Sequence, residues 1–190
     1  MPNLSGTDAF TFAGVPEMFT LLDFWRWHAR WLMNNITRGH LAEFIVANAL
    51  GISANGPMPE WESYDLLFEG KRIEIKASAY IQEWKQTVNT NPRFSIRPAR
   101  IWNDRTGYGG RAQRNAEMYI FCVLAETDRD AANPLMLDKW EFYPVLTSEL
   151  DAKLGAQKSV GMGVICDLCP EPENYTSLRG AVIRLFADQL

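Results

Sequence analysis

Residues 64–78 read YDLLFEGKRIEIKAS and decide the fold, because they form two strand-like runs joined at Gly70. Side chains alternate between the two faces of a strand, so Glu74 and Lys76 share one face while the neighbouring isoleucines point to the other. We expect the isoleucines to pack in a core. The charged face needs a separate explanation, because Asp65 on the first run is expected to join it.

The turn sets the distance between the two acids. A two-residue turn at positions 70–71 would pair Asp65 with Lys76 and Leu67 with Glu74. The two carboxylates then lie diagonally on one face, roughly 7–8 Å apart at the level of the sheet. A shift of one residue would send Asp65 to the other face. The predicted spacing suits a divalent cation such as Mg²⁺, which takes oxygen ligands from carboxylates, water and substrate phosphate.

Other groups of the second strand fit the same chemistry. The carbonyl of Ile75 could add a third oxygen ligand. Lys76 could orient or deprotonate a water nucleophile, or stabilise the charge of a phosphoryl transition state. The alternative is simpler: Glu74 and Lys76 form an ion pair on a solvated sheet face, and the protein has only a structural hairpin there.

Length and composition predict one domain over residues 1–190. With 47% hydrophobic and 22% charged residues, the composition is that of a globular protein. We expect N-terminal helices in 1–50, a catalytic sheet core in 64–145, and C-terminal helices and a strand in 146–190. No apolar run reaches about 18 residues, so no membrane partner is expected. The absence of a signal-peptide pattern and the odd count of three cysteines predict a cytoplasmic location.

Hydrophobic periodicity predicts a central mixed β-sheet flanked by helices, an α/β or α+β fold. The helix starting at Thr37 is expected to end at Gly51. The predicted helices are 17–33, 37–50, 79–88, 147–155 and 173–188. The predicted strands are 64–69, 72–78, 93–102, 119–126 and 140–145.

Positive charge is concentrated in residues 71–114, which hold ten Lys and Arg against three Asp and Glu, whereas the rest of the chain holds nine against twenty. Such asymmetry is typical of a surface that binds a polyanion. The expected phosphate contacts are Lys85, Arg97, Arg100, Arg105, Arg111 and Arg114. Gln82 and Gln113 are expected as polar contacts, and Trp84 and Trp102 as candidates for stacking on bases.

Asp65, the triplet Glu74-Ile75-Lys76, and Glu43 within GHLAEFIVANALG together resemble the motif of the PD-(D/E)xK nucleases. Tyr64 stands where the motif has its proline. The resemblance implies a restriction-endonuclease-like fold. It also implies Mg²⁺ or Mn²⁺ held by Asp65, Glu74, the Ile75 carbonyl and Glu43. The flanking segments are similar to a bacterial group of proteins with this fold, which implies no particular substrate.

We therefore expect a metal-dependent nuclease that hydrolyses phosphodiester bonds, with DNA as the expected substrate. Asp65, Glu74, Lys76 and Glu43 are its expected catalytic residues, and a homodimer is an open alternative to a monomer. A second hypothesis is a non-catalytic domain of the same fold that binds nucleic acid or a protein partner. The overall net charge of −4 favours that second hypothesis.

Overall fold

The computed structural model describes residues 4–53, 63–103 and 107–188, apart from the side chains of 101–103, 107 and 108. The helices are α1 (Leu21–His28), α2 (Asn35–Leu50), α3 (Thr147–Leu154), α4 (Met162–Leu168) and α5 (Leu178–Ala187). The strands are β1 (Ala9–Phe12), β2 (Val15–Thr20), β3 (Leu66–Phe68), β4 (Lys71–Ala79), β5 (Arg93–Ser95), β6 (Ala99–Asn103), β7 (Gly107–Gln113), β8 (Met118–Leu124), β9 (Trp140–Leu146) and β10 (Ser159–Gly161). None of the helices in the described ranges is long and apolar enough to cross a bilayer.

The central sheet has four strands in the order β3-β4-β8-β9. The β3–β4 and β8–β9 pairs are antiparallel, and β4 runs parallel to β8. The prediction of a mixed sheet flanked by helices, an α+β fold, is therefore confirmed. Every residue of β8 is buried, as expected for the central strand of a sheet covered on both faces.

One face of the sheet packs against α2 and α5. Ile73 and Ile75 join this core, as the alternation along β4 predicts. The α2 helix begins after Asn34, whose side chain accepts a hydrogen bond from the Ile36 N–H. It ends at Gly51, which has a φ of 76°. The predicted end is confirmed, whereas the predicted start at Thr37 is wrong because Asn34 caps the helix one turn earlier.

The opposite face of the sheet packs against α3 and α4. Tyr119, Phe121 and Val123 of β8 point to this side and contact buried residues of both helices. The two-stranded β5–β10 sheet adds Phe94 and Val160 to the same core. This second layer closes the sheet on the face to which Glu74 and Lys76 belong, because their parallel partners on β8 are Tyr119 and Phe121.

The β3–β4 hairpin turns one position earlier than predicted. Phe68 pairs with Lys71, which leaves Glu69 and Gly70 as the turn residues. Both have positive φ values, 49° and 79°, as a two-residue hairpin turn of type I′ requires. The predicted pairs Asp65 with Lys76 and Leu67 with Glu74 are therefore wrong by two residues. A shift of two leaves the facing of every side chain unchanged.

Two predicted helices differ from the structure. Residues 79–88 contain no helix, because the amides of Gln82 and Gln86 hydrogen-bond to nearby backbone carbonyls and hold an irregular loop. The N-terminal part of the predicted helix 17–33 is strand β2, which pairs with β1. The last helix, α5, is shorter than predicted, and the helix α4 was not predicted.

Candidate active site

Asp65 lies immediately before the first residue of β3, beside the part of β4 that has no β3 partner. β4 has nine residues and β3 only three. Beyond the last ladder pair, the Asp65 N–H donates to the Ile73 carbonyl at 3.0 Å. Asp65 Oδ2 accepts a hydrogen bond from the Ile75 N–H at 2.6 Å. The carboxylate is thus fixed beside β4, in the place where a longer β3 would supply a backbone carbonyl.

This position refines the predicted arrangement of the acids. Asp65 was expected on one face of the sheet with Glu74, but its carboxylate lies at the edge of β4. The N–H and the C=O of one strand residue point to the same side. The Ile75 carbonyl therefore points to the side on which Asp65 lies, which is where a third oxygen ligand was expected.

Glu74 and Lys76 share a face of β4 and form an ion pair of 2.5 Å between Oε1 and Nζ. Their side chains are 19% and 30% exposed, so both are accessible from one side while most of their length is covered. The face assignment from the sequence is correct. The ion pair is the feature that the alternative hypothesis, a structural hairpin, also predicts, so the surroundings of the pair decide between the two.

Electrostatics place Glu43 in the same cluster. The residue lies on α2 and is half-buried. Burial, together with the charges of Asp65 and Glu74, raises the pKa of Glu43 to about 7 against the lowering effect of Lys76. The α2 helix packs against β4 on the face opposite to Glu74. Asp65, Glu74 and Lys76 thus lie close together on or beside β4, and Glu43 lies within range of their charges.

The cluster carries more negative than positive charge. Burial raises the pKa of Asp65, against the lowering effects of Lys76 and of the Ile75 N–H. Burial and the charge of Asp65 raise the pKa of Glu74, although Lys76 is its direct partner. Among residues 4–53, 63–103 and 107–188, no three His, Cys, Asp or Glu side chains are arranged to hold a metal ion. The arrangement therefore offers a pair of carboxylates, with Glu43 set back from them.

His40 is a member of the cluster that the sequence reasoning missed. It lies on α2 one turn before Glu43 and is exposed. Its charge is one of the influences that lower the pKa of Asp65. A signal was present in the sequence, because residues three apart share one face of a helix, and Glu43 was already a candidate.

The predicted nucleic-acid contacts divide into exposed and buried groups. The exposed ones are Lys85, Arg97, Arg100, Arg111 and Gln113, together with Trp84. Gln82 is buried, and its side-chain amide donates to the Ala79 carbonyl. We correct its role to support of the loop after β4. Arg105 and the side chain of Trp102 lie outside the described residues.

Arg114 also has a structural role in place of the predicted phosphate contact. Its side chain is 1% exposed and forms an ion pair with Asp151. Its remaining donors bind the backbone carbonyls of Ile96, Gly155 and Gln157 at 2.8–3.0 Å. Arg114 therefore joins the residue after β7 to the end of α3, and each of its three guanidinium nitrogens has a partner within the protein.

The fold and the site define an α+β protein with a lysine-paired acidic cluster on and beside strand β4 of its central sheet. A family model described as bacteriophage T4 endonuclease IV matches residues 27–151, a range that contains the whole acidic cluster. The match covers well over half of the chain, so the chain belongs to the bacteriophage T4 endonuclease IV family, a nuclease family. No curated protein and no solved structure matches the chain. Membership of the PD-(D/E)xK superfamily stays a prediction.

Proposed function

We propose that the protein is a metal-dependent endonuclease that hydrolyses phosphodiester bonds in DNA, and that it is a PD-(D/E)xK enzyme. One observation carries the proposal: Asp65 is fixed by backbone hydrogen bonds beside the Glu74–Lys76 pair. The matched family is named for an endonuclease, which supports both the reaction and the substrate.

The donor set fits Mg²⁺ or Mn²⁺. Asp65 and Glu74 would supply carboxylates and Ile75 a carbonyl, all hard oxygen donors, and Mg²⁺ often binds through one or two carboxylates plus substrate phosphate. Burial is the main cause of the raised pKa values of Asp65 and Glu74, and the lysine beside them does not offset it. Glu43 would complete the site, directly or through water.

The residues would divide the chemistry between them. A divalent cation, when bound, would neutralise phosphate charge and act as a Lewis acid. Lys76 would place its ammonium beside the scissile phosphate, where it could orient the attacking water or stabilise the negative charge that develops. Its pairing with Glu74 keeps the ammonium on the same face as that carboxylate. The Ile75 N–H would keep Asp65 in position throughout, because that bond is independent of substrate.

DNA would be held by the exposed basic residues between β4 and β7. Lys85, Arg97, Arg100 and Arg111 are exposed, so their charges are free to contact phosphates. The remainder of the chain is acidic, which restricts favourable contacts with a polyanion to this segment. Binding is therefore expected to weaken steeply with salt.

The proposal is tested by incubating single- and double-stranded DNA and RNA with the protein in Mg²⁺, in Mn²⁺ and in chelator. Glu74→Gln and Lys76→Met are expected to lower cleavage by about 100-fold or more. Lys71→Met is the matched control, because Lys71 lies on the same strand and is exposed. Cleavage that persists in chelator or in both variants would refute the site. Binding without cleavage under every condition would favour the non-catalytic hypothesis.

A further inference from the structure

The N-terminal unit, residues 4–31, is formed by β1, β2 and α1 and differs from the rest of the chain in its packing. No residue of the unit, all of which the structure describes, is buried. It nevertheless forms regular secondary structure, the β1–β2 hairpin and α1. The N–H groups of Leu21 and Leu22 donate to the carbonyls of Asp8 and Gly6 at 2.9 and 3.0 Å, which tie α1 to the loop before β1.

The exposed surface of this unit is strongly apolar. Eleven large hydrophobic side chains within it are exposed: Leu4, Phe10, Phe12, Val15, Met18, Phe19, Leu22, Phe24, Trp25, Trp27 and Trp31. Three of them are more than two-thirds exposed, at 77% for Phe12, 102% for Met18 and 68% for Trp27. A two-stranded hairpin is marginally stable by itself, and this much exposed apolar surface marks an interaction site.

The size of the surface fits one protein–protein interface. At about 200 Å² for a large side chain, the exposed parts of these eleven residues amount to roughly 1,300 Å², so part of this surface is enough for an interface. A standard interface buries about 800 Å² on each partner. The N-terminal unit is thus large enough for one complete interface.

The charges of the unit favour a second copy of this chain over a nucleic acid. The unit holds three acids, Asp8, Glu17 and Asp23, and two arginines, Arg26 and Arg30, with no lysine. A nearly neutral surface with charges of both signs can pack against a second copy of itself across a two-fold axis. In such an interface the same residues of both copies take part. Polyanion binding needs an excess of cations, and that excess lies in residues 71–114.

We propose that the protein is a homodimer held together by its N-terminal units, with the aromatic surfaces of residues 4–31 packed against each other. Each copy keeps its own acidic cluster, since Glu43, Asp65, Glu74 and Lys76 lie outside the interface residues. The proposal is independent of the nuclease assignment.

The test is the mass of the full chain in solution, measured by sedimentation from low to high micromolar concentration. Wild type is expected at twice 21.6 kDa, and the double variant Met18→Glu/Trp27→Glu at the monomer mass. The matched control is Val88→Glu/Leu135→Glu, which changes two side chains that are 78% and 66% exposed outside the unit. This control is expected to stay dimeric.

Hydrogen exchange on wild type alone provides a second measurement, which does not depend on the folding of any variant. Amides of β1, β2 and α1 are expected to gain protection as concentration rises, while those of α5 do not. A wild type that is monomeric throughout, or a double variant as dimeric as wild type, overturns the proposal. A monomer that binds single-stranded DNA through the N-terminal unit overturns it in favour of a stacking surface.

Discussion

Strand β4 contributes to two ion pairs, Arg72 with Glu117 and Lys76 with Glu74. The two pairs differ in the pKa of the acid. Arg72 binds Glu117 through its guanidinium, and its backbone N–H donates to the same carboxylate at 2.7 Å. Lys76 binds Glu74 through one contact of 2.5 Å. Both acids are partly covered. Yet the pKa of Glu117 is lowered, whereas the pKa of Glu74 is raised.

The difference shows which pair is complete. Burial acts to raise the pKa of Glu117, but the hydrogen bonds from Arg72 together outweigh it. For Glu74, burial and the charge of Asp65 outweigh the single lysine. A carboxylate with enough hydrogen-bond donors, such as Glu117, contributes to stability. A carboxylate with too few donors, such as Glu74, needs a further positive group, and carboxylates of this kind are typical of functional sites.

The largest expected effect is a loss of cleavage when the charge of Asp65, next to the Glu74–Lys76 pair, is removed. Asp65→Asn keeps an oxygen that can accept from the Ile75 N–H, but it removes the charge. We expect cleavage to fall by about 100-fold or more, with the melting temperature unchanged or raised, because the ionised Asp65 is disfavoured by burial. Asp188→Asn is the control on an exposed acid. A variant that melts earlier and cleaves normally would show that Asp65 is only structural.

Arginines permit the same comparison between complete and incomplete pairing. Arg114→Met removes a buried guanidinium together with hydrogen bonds to three carbonyls. We expect a loss of about 2–4 kcal/mol in the free energy of unfolding. Arg111→Met changes an exposed residue of β7 and should leave stability unchanged but weaken DNA binding. The slope of the logarithm of the binding constant against the logarithm of salt concentration should fall in magnitude by about one.

Urea titrations and binding at several salt concentrations measure both arginine variants. Weaker DNA binding with wild-type stability in Arg114→Met would return that residue to the phosphate contacts. If Arg111→Met binds as wild type does, β7 is not part of the DNA surface.

The complete pair on β4 should yield a smaller loss of stability. Glu117→Gln weakens the hydrogen bonds to Arg72, and we expect about 1–2 kcal/mol less stability at pH 7, with cleavage per folded molecule retained. The pKa of Glu117 is lower in the folded state, so its contribution is present above the unfolded value and is lost as pH falls. Wild type and variant should therefore converge in acid. Glu171→Gln, on an exposed residue, is the control, and a gap that widens in acid would contradict the assignment.

The fold was predicted correctly where the hydrophobic periodicity of a segment determines its structure. The buried run of β8 and the alternation of β4 are strong local patterns, and both were predicted correctly. The apolar stretch at residues 17–33 has helical spacing, but its first part pairs as a strand with β1. A pairing of that kind depends on a partner strand, which no periodicity within the stretch reveals.

The grouping of the candidate residues on and beside β4 was predicted better than the exact pairing of the strands. Residue types and alternation identified Asp65, Glu74 and Lys76, since the faces of a strand follow from sequence alone. The register was wrong because it depends on which two residues turn, and Glu69 adopts a positive φ that is uncommon outside glycine. Arg114 could not be separated from Arg111 by sequence, because its burial arises only when α3 and the residues after it fold against it.

Glu43 should give the smallest effect, and one with the opposite sign to Glu117. Its pKa of about 7 in the folded state lies above its usual value of 4.5. The folded protein then binds more protons than the unfolded chain between these values, so stability falls as pH rises through them. Because Glu43 is half-buried, we expect this loss in the free energy of unfolding to be on the order of 1 kcal/mol.

Glu43→Gln removes the titrating group and should be more stable than wild type at pH 8 but not at pH 4.5. Urea unfolding in chelator measures the difference, and a constant difference across this range would mean that Glu43 does not share the charge of the cluster.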